Sequence, residues 1–212
     1  MTIEPRLLHV DCLRGLHLHR MAYWEWGDAA NPRVLVCCHG LSRQGRDFDE
    51  LARALAGEYR VVCPDVLGRG ESERLADPMG YQVPGYVADM VTLLARLNAS
   101  TVHWVGTSMG GLIGLGVSAL RGSPVKKLVL NDVGPVIEAA AIARIGSYIG
   151  QVQRWATLDA AADALWQIST GFGPHTREQW LALTRPQLRQ EADGHWVPRC
   201  DPAIAVPFRA IT

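Results

Sequence analysis

Three short segments carry residues whose types and spacing could do chemistry. The first is Gly106-Thr107-Ser108-Met109-Gly110, a G-x-S-x-G pattern. It stands between an apolar, strand-like run at residues 101–105 and a helix-like run that opens at Met109. A serine hydroxyl becomes a useful nucleophile only if a tight turn pushes it clear of the sheet. Side chains two positions to either side would collide with neighbouring backbone, so glycines at 106 and 110 fit that turn. The helix that follows aims its first amides at the reaction centre, where negative charge develops.

The second segment is His39-Gly40-Leu41, directly after the apolar run at residues 34–38. A glycine there lets the chain turn toward a substrate. The amides of Leu41 and Met109 are then candidates to hold an oxyanion between them. His39 is expected to orient this loop rather than to act as a general base. The third segment is Asp65-Val66-Leu67-Gly68-Arg69-Gly70-Glu71-Ser72. It contains neither G-x-x-x-x-G-K-[ST] nor G-x-G-x-x-G, so a phosphate cradle is not indicated. Asp65 and Arg69 are expected to fix this backbone and the neighbouring loops.

Elements that could position these segments alternate along the chain. Strand-like runs at 34–38, 60–63, 101–105 and 125–130 are separated by helical patterns. Asp47, with Glu50 three residues on, reads as a helix cap ahead of an apolar face of Phe48, Leu51 and Leu55. Val87, Met90, Val91, Leu94 and Leu97 form a second helical stripe. A third helix is expected over 109–120. Residues 6–27 read as two antiparallel strands, with His17 and His19 on an exposed face. This order implies an α/β fold, a mostly parallel sheet with helices on both faces. After Pro135 the texture changes. Residues 137–186 read as helical throughout, with a Thr176/Gln179 capping box, and no strand is expected from 137 onward. The expected organisation is a core over 1–135, a helical cap over 136–205, and a return toward the core at 206–212.

Composition narrows the function classes. With 21 basic and 21 acidic residues the formal charge is zero, which removes the electrostatic reason to expect nucleic-acid or anionic-membrane binding. No apolar run approaches the ~20 residues of a membrane helix, and the first residues show no signal peptide. Five cysteines at 12, 37, 38, 63 and 200 show no metal spacing. They read as reduced thiols in a cytoplasmic protein. Nothing recruits a metal, nucleotide or flavin, so no cofactor is expected. The cap segment shows few charged pairs, which favours uncharged substrates. Its Trp155, Trp166, Phe172 and Trp180 read as cap core more readily than as pocket lining.

Taken together, His39-Gly40, the 65–72 segment, Gly106 to Gly110, and Asn131-Asp132-Val133-Gly134-Pro135 resemble the α/β-hydrolase fold family. Within it the chain is most similar to lidded serine hydrolases such as esterases, lactonases and carbon–carbon bond hydrolases. The resemblance implies Ser108 as nucleophile, Leu41 and Met109 as oxyanion donors, and a cap that shapes the pocket of a small hydrophobic ester-like substrate. It implies a monomer or homodimer.

The chain departs from that pattern after the cap. The family's acid and histidine follow the cap, in a segment absent here. Only His175 and His195 follow Ser108, and both sit in turn-like surroundings unsuited to a base. Asp132 is the one candidate acid within reach. A serine without a base is a poor nucleophile, so a truncated chain with impaired activity is expected. The alternative is a non-catalytic module of the same fold that binds a small ligand or a partner.

Overall fold

The structure, a computed structural model, describes residues 4–209; the expectations for residues 1–3 and 210–212 lie outside the described residues. Its centre is a six-stranded sheet in the order β1-β2-β4-β3-β5-β6. The strands are β1 (Arg6–Arg14), β2 (His17–Trp26), β3 (Val34–Cys38), β4 (Arg60–Pro64), β5 (Val102–Thr107) and β6 (Val125–Asn131). Strands β3 to β6 run parallel, while the β1–β2 hairpin is antiparallel and joins the sheet through β4. The mostly parallel sheet read from the sequence is therefore the observed one.

Alternation along β3 shows why both faces are covered. Val34, Val36 and Cys38 enter one apolar cluster, and Leu35 and Cys37 the other. A strand buried on both sides reads as a continuous apolar run because neither face meets water. Helices α2 (Val83–Leu97) and α3 (Met109–Ser118) contribute to the first cluster. Helix α1 (Asp49–Leu55) contributes Ala52 to the second.

Several local expectations are corrected. Asp47 caps no helix: it lies in a 3-10 turn capped by the Gln44 side chain and pairs with Arg43 at 2.6 Å, and α1 begins only at Asp49. Leu51 and Val91 face solvent, because Ala52 and Leu93 take the inward positions of their helices. His19 is buried, 6% exposed, since Asp89 of α2 receives its ring at 2.9 Å. The block after β6 is not helical throughout. Helices α4 (Ala139–Gly146), α5 (Leu158–Gln167) and α6 (Arg177–Thr184) are followed by a small hairpin, β7 (Leu188–Gln190) with β8 (Trp196–Pro198). Trp155 joins that hairpin by reciprocal backbone bonds with Trp196. These strands are three residues long, too short to leave a period-two signal. The capping box of Thr176 and Gln179 forms as read. A last short helix, α7 (Ala205–Arg209), is preceded by Ile204, and Ile204 and Ala205 pack in the main core cluster.

Candidate active site

The three chemistry-bearing segments all leave the carboxyl ends of adjacent parallel strands: 39–41 after β3, 65–72 after β4 and Ser108 after β5. Such a crevice is where open α/β sheets bind ligands.

Ser108 sits between β5 and α3 with φ +50° and ψ −116°, a conformation that strains any side chain larger than glycine. The turn is held from both flanks. Its amide donates to the Asn131 carbonyl of β6 at 2.8 Å, and its own carbonyl accepts from Gly111 at 2.9 Å. The flanking glycines are explained by distances. A Cβ at Gly106 would lie 2.4 Å from the Gly110 oxygen, and one at Gly110 would lie 2.0 Å from the Cys38 oxygen. Helix α3 thus starts in contact with β3 and β5, and only glycine allows it. Trp104, buried in β5, donates its indole N–H to the Gly110 carbonyl at 3.0 Å, a brace that the motif alone did not reveal. Among the described residues no hydrogen bond engages the Ser108 hydroxyl.

Gly40 passes beside Ser108. A Cβ there would lie 3.7 Å from Ser108 Cβ and 3.8 Å from Arg43 Cγ. Among the described residues, neither the Leu41 nor the Met109 amide donates to a backbone acceptor. His39 is fully buried and bonded on both ring nitrogens: Nε2 accepts from the Val66 amide at 2.9 Å, so Nδ1 carries the proton and donates to the Gly40 carbonyl at 2.7 Å. Burial lowers its pKa to about 3. A neutral ring locked this way ties the β3 loop to the β4 loop and has no lone pair left for a substrate proton.

Asp65 and Arg69 organise the loop after β4. The Asp65 carboxylate accepts from the amides of Gly45 at 2.7 Å and Glu71 at 2.9 Å and from the Trp24 indole at 3.2 Å. Burial nevertheless pushes its pKa up to about 6. Arg69 reaches in the other direction, to the Leu41 carbonyl at 2.8 Å.

The remaining candidates are not gathered round the hydroxyl. Asp132 follows β6 at φ +55° with its side chain exposed. His175 donates its Nδ1 proton to the Gly173 carbonyl, 3.0 Å away, and packs edge-on to Trp166 and Trp180. His195 lies beside Asp193 in the β7–β8 turn, so a strand does precede that turn. Trp166 and Phe172 meet the buried Trp180 in T-shaped contacts, so these three rings pack on one another. Phe172 remains half exposed and also lies under the Arg43 guanidinium, 5.4 Å from its centroid. The expectation of few charged pairs in this block is overturned. Arg177 pairs with Asp159 and Asp163, and Arg154 with Glu191 and Asp193. These residues lie far apart in sequence, so their pairing was invisible there, and they remove the ground for preferring uncharged substrates.

One cluster away from the crevice holds metal-type donors. Cys12, His19 and Asp89 place one ligand atom each within 4.8 Å of one another. The His19 nitrogen there is already bonded to Asp89, whose second oxygen takes the Arg14 guanidinium at 2.7 Å. The set is a closed network in which a cation is already present.

Comparison with known proteins agrees with this architecture. The model of the alpha/beta hydrolase fold matches residues 33–176. The chain belongs to the α/β-hydrolase fold family. It is 58% identical over 215 residues to a 3-hydroxybutyrate-oligomer hydrolase of Cupriavidus necator, an alignment that takes in all of this chain and 73% of that protein. It is 28% identical over 177 residues to the esterase YbfF of Escherichia coli, across 78% of this chain and 62% of the relative. Among solved structures, an alpha/beta hydrolase from Novosphingobium aromaticivorans superposes with a TM-score of 0.87 at 34% identity, over 98% of this chain and 72% of that one. The protein is an α/β-family hydrolase, and relatives of it are named as hydrolases, esterases and lipases. Among the described residues no helix is long and apolar enough to cross a membrane.

Proposed function

We propose that the protein hydrolyses small carboxylic esters through an acyl-enzyme on Ser108. The Leu41 and Met109 amides hold the oxyanion, and residues 136–205 act as a lid over the crevice. The observation that carries this reading is the strained Ser108 turn, whose hydroxyl is unengaged while its backbone is fixed by β6 and α3. An idle serine has no physical need for positive φ. The likeness to an oligomer hydrolase supports short hydroxyacid oligoesters as the substrate class. Asp132, one residue past the carbonyl that holds the Ser108 amide, is the candidate acid. Four buried thiols and one half-buried one, all free, suit the cytoplasm, and we read the working unit as a monomer or homodimer.

Attack requires a base to take the Ser108 proton, and no described histidine is bonded to the Ser108 hydroxyl. Turnover by these residues alone is therefore slow, and added imidazole in the buffer should supply the missing acceptor. The test is hydrolysis of p-nitrophenyl butyrate and of a 3-hydroxybutyrate dimer, with and without imidazole, beside fluorophosphonate labelling mapped by mass spectrometry. The expected result is imidazole-stimulated turnover and a label on Ser108, both abolished by Ser108→Ala. Unchanged rates in Ser108→Ala, or neither turnover nor label in a folded protein, would overturn it. That no described residue bonds the Ser108 hydroxyl favours one second reading, a non-catalytic ligand-binding module, which predicts saturable ester binding without turnover under all these conditions.

A further inference from the structure

We infer that Arg69 is the positioning residue of the oxyanion hole, and that residues 199–201, near the end of the lid, form the outer wall of its cage. The inference rests on the functional reading above. Arg69 is 1% exposed, and among the described residues no carboxylate pairs with it. A buried cation without a counter-ion is expensive unless every donor is used. Here the donors are used on the site itself. Nε donates to the Leu41 carbonyl at 2.8 Å, and Nη2 lies 3.7 Å from the Met109 sulfur. Nη1 donates to the Leu67 carbonyl at 2.6 Å and to the Tyr86 hydroxyl at 2.8 Å. The guanidinium carbon stands 5.2 Å from the Tyr86 ring centroid and 5.7 Å from that of Tyr81. One planar group therefore touches both residues whose amides face the proposed oxyanion, and it spans two elements that are otherwise far apart in sequence.

The Arg69 loop is itself strapped from outside. The Asp201 amide donates to the Gly68 carbonyl and the Gly70 amide to the Arg199 carbonyl, each at 2.8 Å, so Arg69 faces Cys200 across an antiparallel bridge. The Tyr81 hydroxyl donates to the Asp201 carboxylate at 2.7 Å, and Arg199 pairs with Glu71. The segment that leaves the β7–β8 hairpin thus holds the loop that holds the oxyanion donors. The lid is connected to the chemistry through this strap as well as through whatever it encloses. A lysine cannot replace Arg69, because one ammonium on a flexible stem cannot reach the Leu41 carbonyl, the Leu67 carbonyl and the Met109 sulfur together.

The test compares wild type with Arg69→Lys, Arg69→Gln and Asp201→Asn in the same chain. Ester turnover is measured with imidazole present, alongside binding of a serine-directed boronic acid and thermal stability. Loss of a single oxyanion donor lowers kcat by about 10²–10³-fold. Arg69→Gln and Arg69→Lys should lower kcat by about tenfold or more with KM nearly unchanged, and boronate affinity should fall in step. Asp201→Asn should move both in the same direction by less, and it decides the matter if the Arg69 variants do not fold. A purely structural Arg69 would lower thermal stability while leaving kcat and boronate affinity at wild-type values in the folded variants, and that result, or full rescue by lysine, overturns the inference. The Ser108→Ala control separates the two claims: if it leaves turnover intact the functional reading fails, whereas Ser108-dependent turnover indifferent to Arg69 removes only this one.

Discussion

Strands β3 and β6 belong to one sheet and each ends at the candidate site, yet their surroundings differ sharply. All five residues of β3 are buried, and no residue of β6 is. The loop after β3 is held by the His39 ring, which bridges Gly40 and Val66, and by Arg69. At the end of β6, Asn131 and Asp132 are exposed, and Asn131 ties this side to the site through its carbonyl, which accepts from the Ser108 amide, and its side-chain amide, which donates to the Thr107 hydroxyl at 3.1 Å. The β3 side of the site is over-determined, while the β6 side is held through Asn131. The block after β6 repeats the contrast. Its ion pairs are exposed, and its one dense cluster is the Trp166, Phe172, His175 and Trp180 group.

The largest effect should come from crowding the tight side. In Gly110→Ala the new methyl meets the Cys38 carbonyl at 2.0 Å, and backbone cannot swing aside. We expect a loss of more than about 4 kcal/mol, or no folded protein. Gly171→Ala in the block after β6 meets nothing within 4 Å and should stay within about 0.5 kcal/mol of wild type. Chemical denaturation of the pair checks this, and similar losses would erase the contrast.

Next, Trp180→Ala removes the hub of the aromatic cluster after β6 and an indole bond to the Ala162 carbonyl at 2.8 Å. Its expected cost of about 3 kcal/mol should fall on that block alone. Hydrogen exchange would show faster amides across α5 and α6 with β3 and β5 unchanged. Uniform acceleration over the whole sheet would mean that the two regions melt as one unit.

The smallest effect is a change of slope with pH. The folded His39 ring refuses a proton until about pH 3, whereas the unfolded one takes it at 6.5. The His39 contribution is complete above pH 6.5 and drains away as the pH falls, by up to about 1.4 kcal/mol per unit. Asp65 acts in the opposite sense, because its folded pKa of about 6 exceeds its ordinary 3.8. Folded protein then holds a proton that unfolded chain has released, and stability rises as pH falls from 6 to 4. The two slopes nearly cancel in wild type. His39→Gln should uncover the Asp65 slope, and identical profiles for both proteins would show that neither group titrates as its burial implies.

Much of this site was legible because its constraints are local. A nucleophile turn needs glycines at fixed offsets, and the 34–38 run is apolar because both faces of β3 are covered. The roles of Asp65 and Arg69 as loop fixers followed from their place in a glycine-bearing turn. What sequence could not show was pairing at a distance. The Arg177 bonds to Asp159 and Asp163, the burial of His19 against Asp89, and the bridge from Arg69 to Cys200 join residues whose separation carries no periodic signal. The β7–β8 hairpin escaped because strands of three residues are shorter than the window in which alternation can be recognised.

The outer position of β6 has a consequence for handling the protein. Among the described residues no strand pairs with its outer side, so its row of peptide groups there, with Val129 54% exposed, is a template onto which another strand could zip. The exposed Lys126 and Lys127 are what discourage that meeting, by mutual repulsion between copies. Since concentrated electrolyte shortens the reach of such repulsion to about 3 Å, this protein keeps best in dilute buffer, and precipitation by salt would begin at this edge.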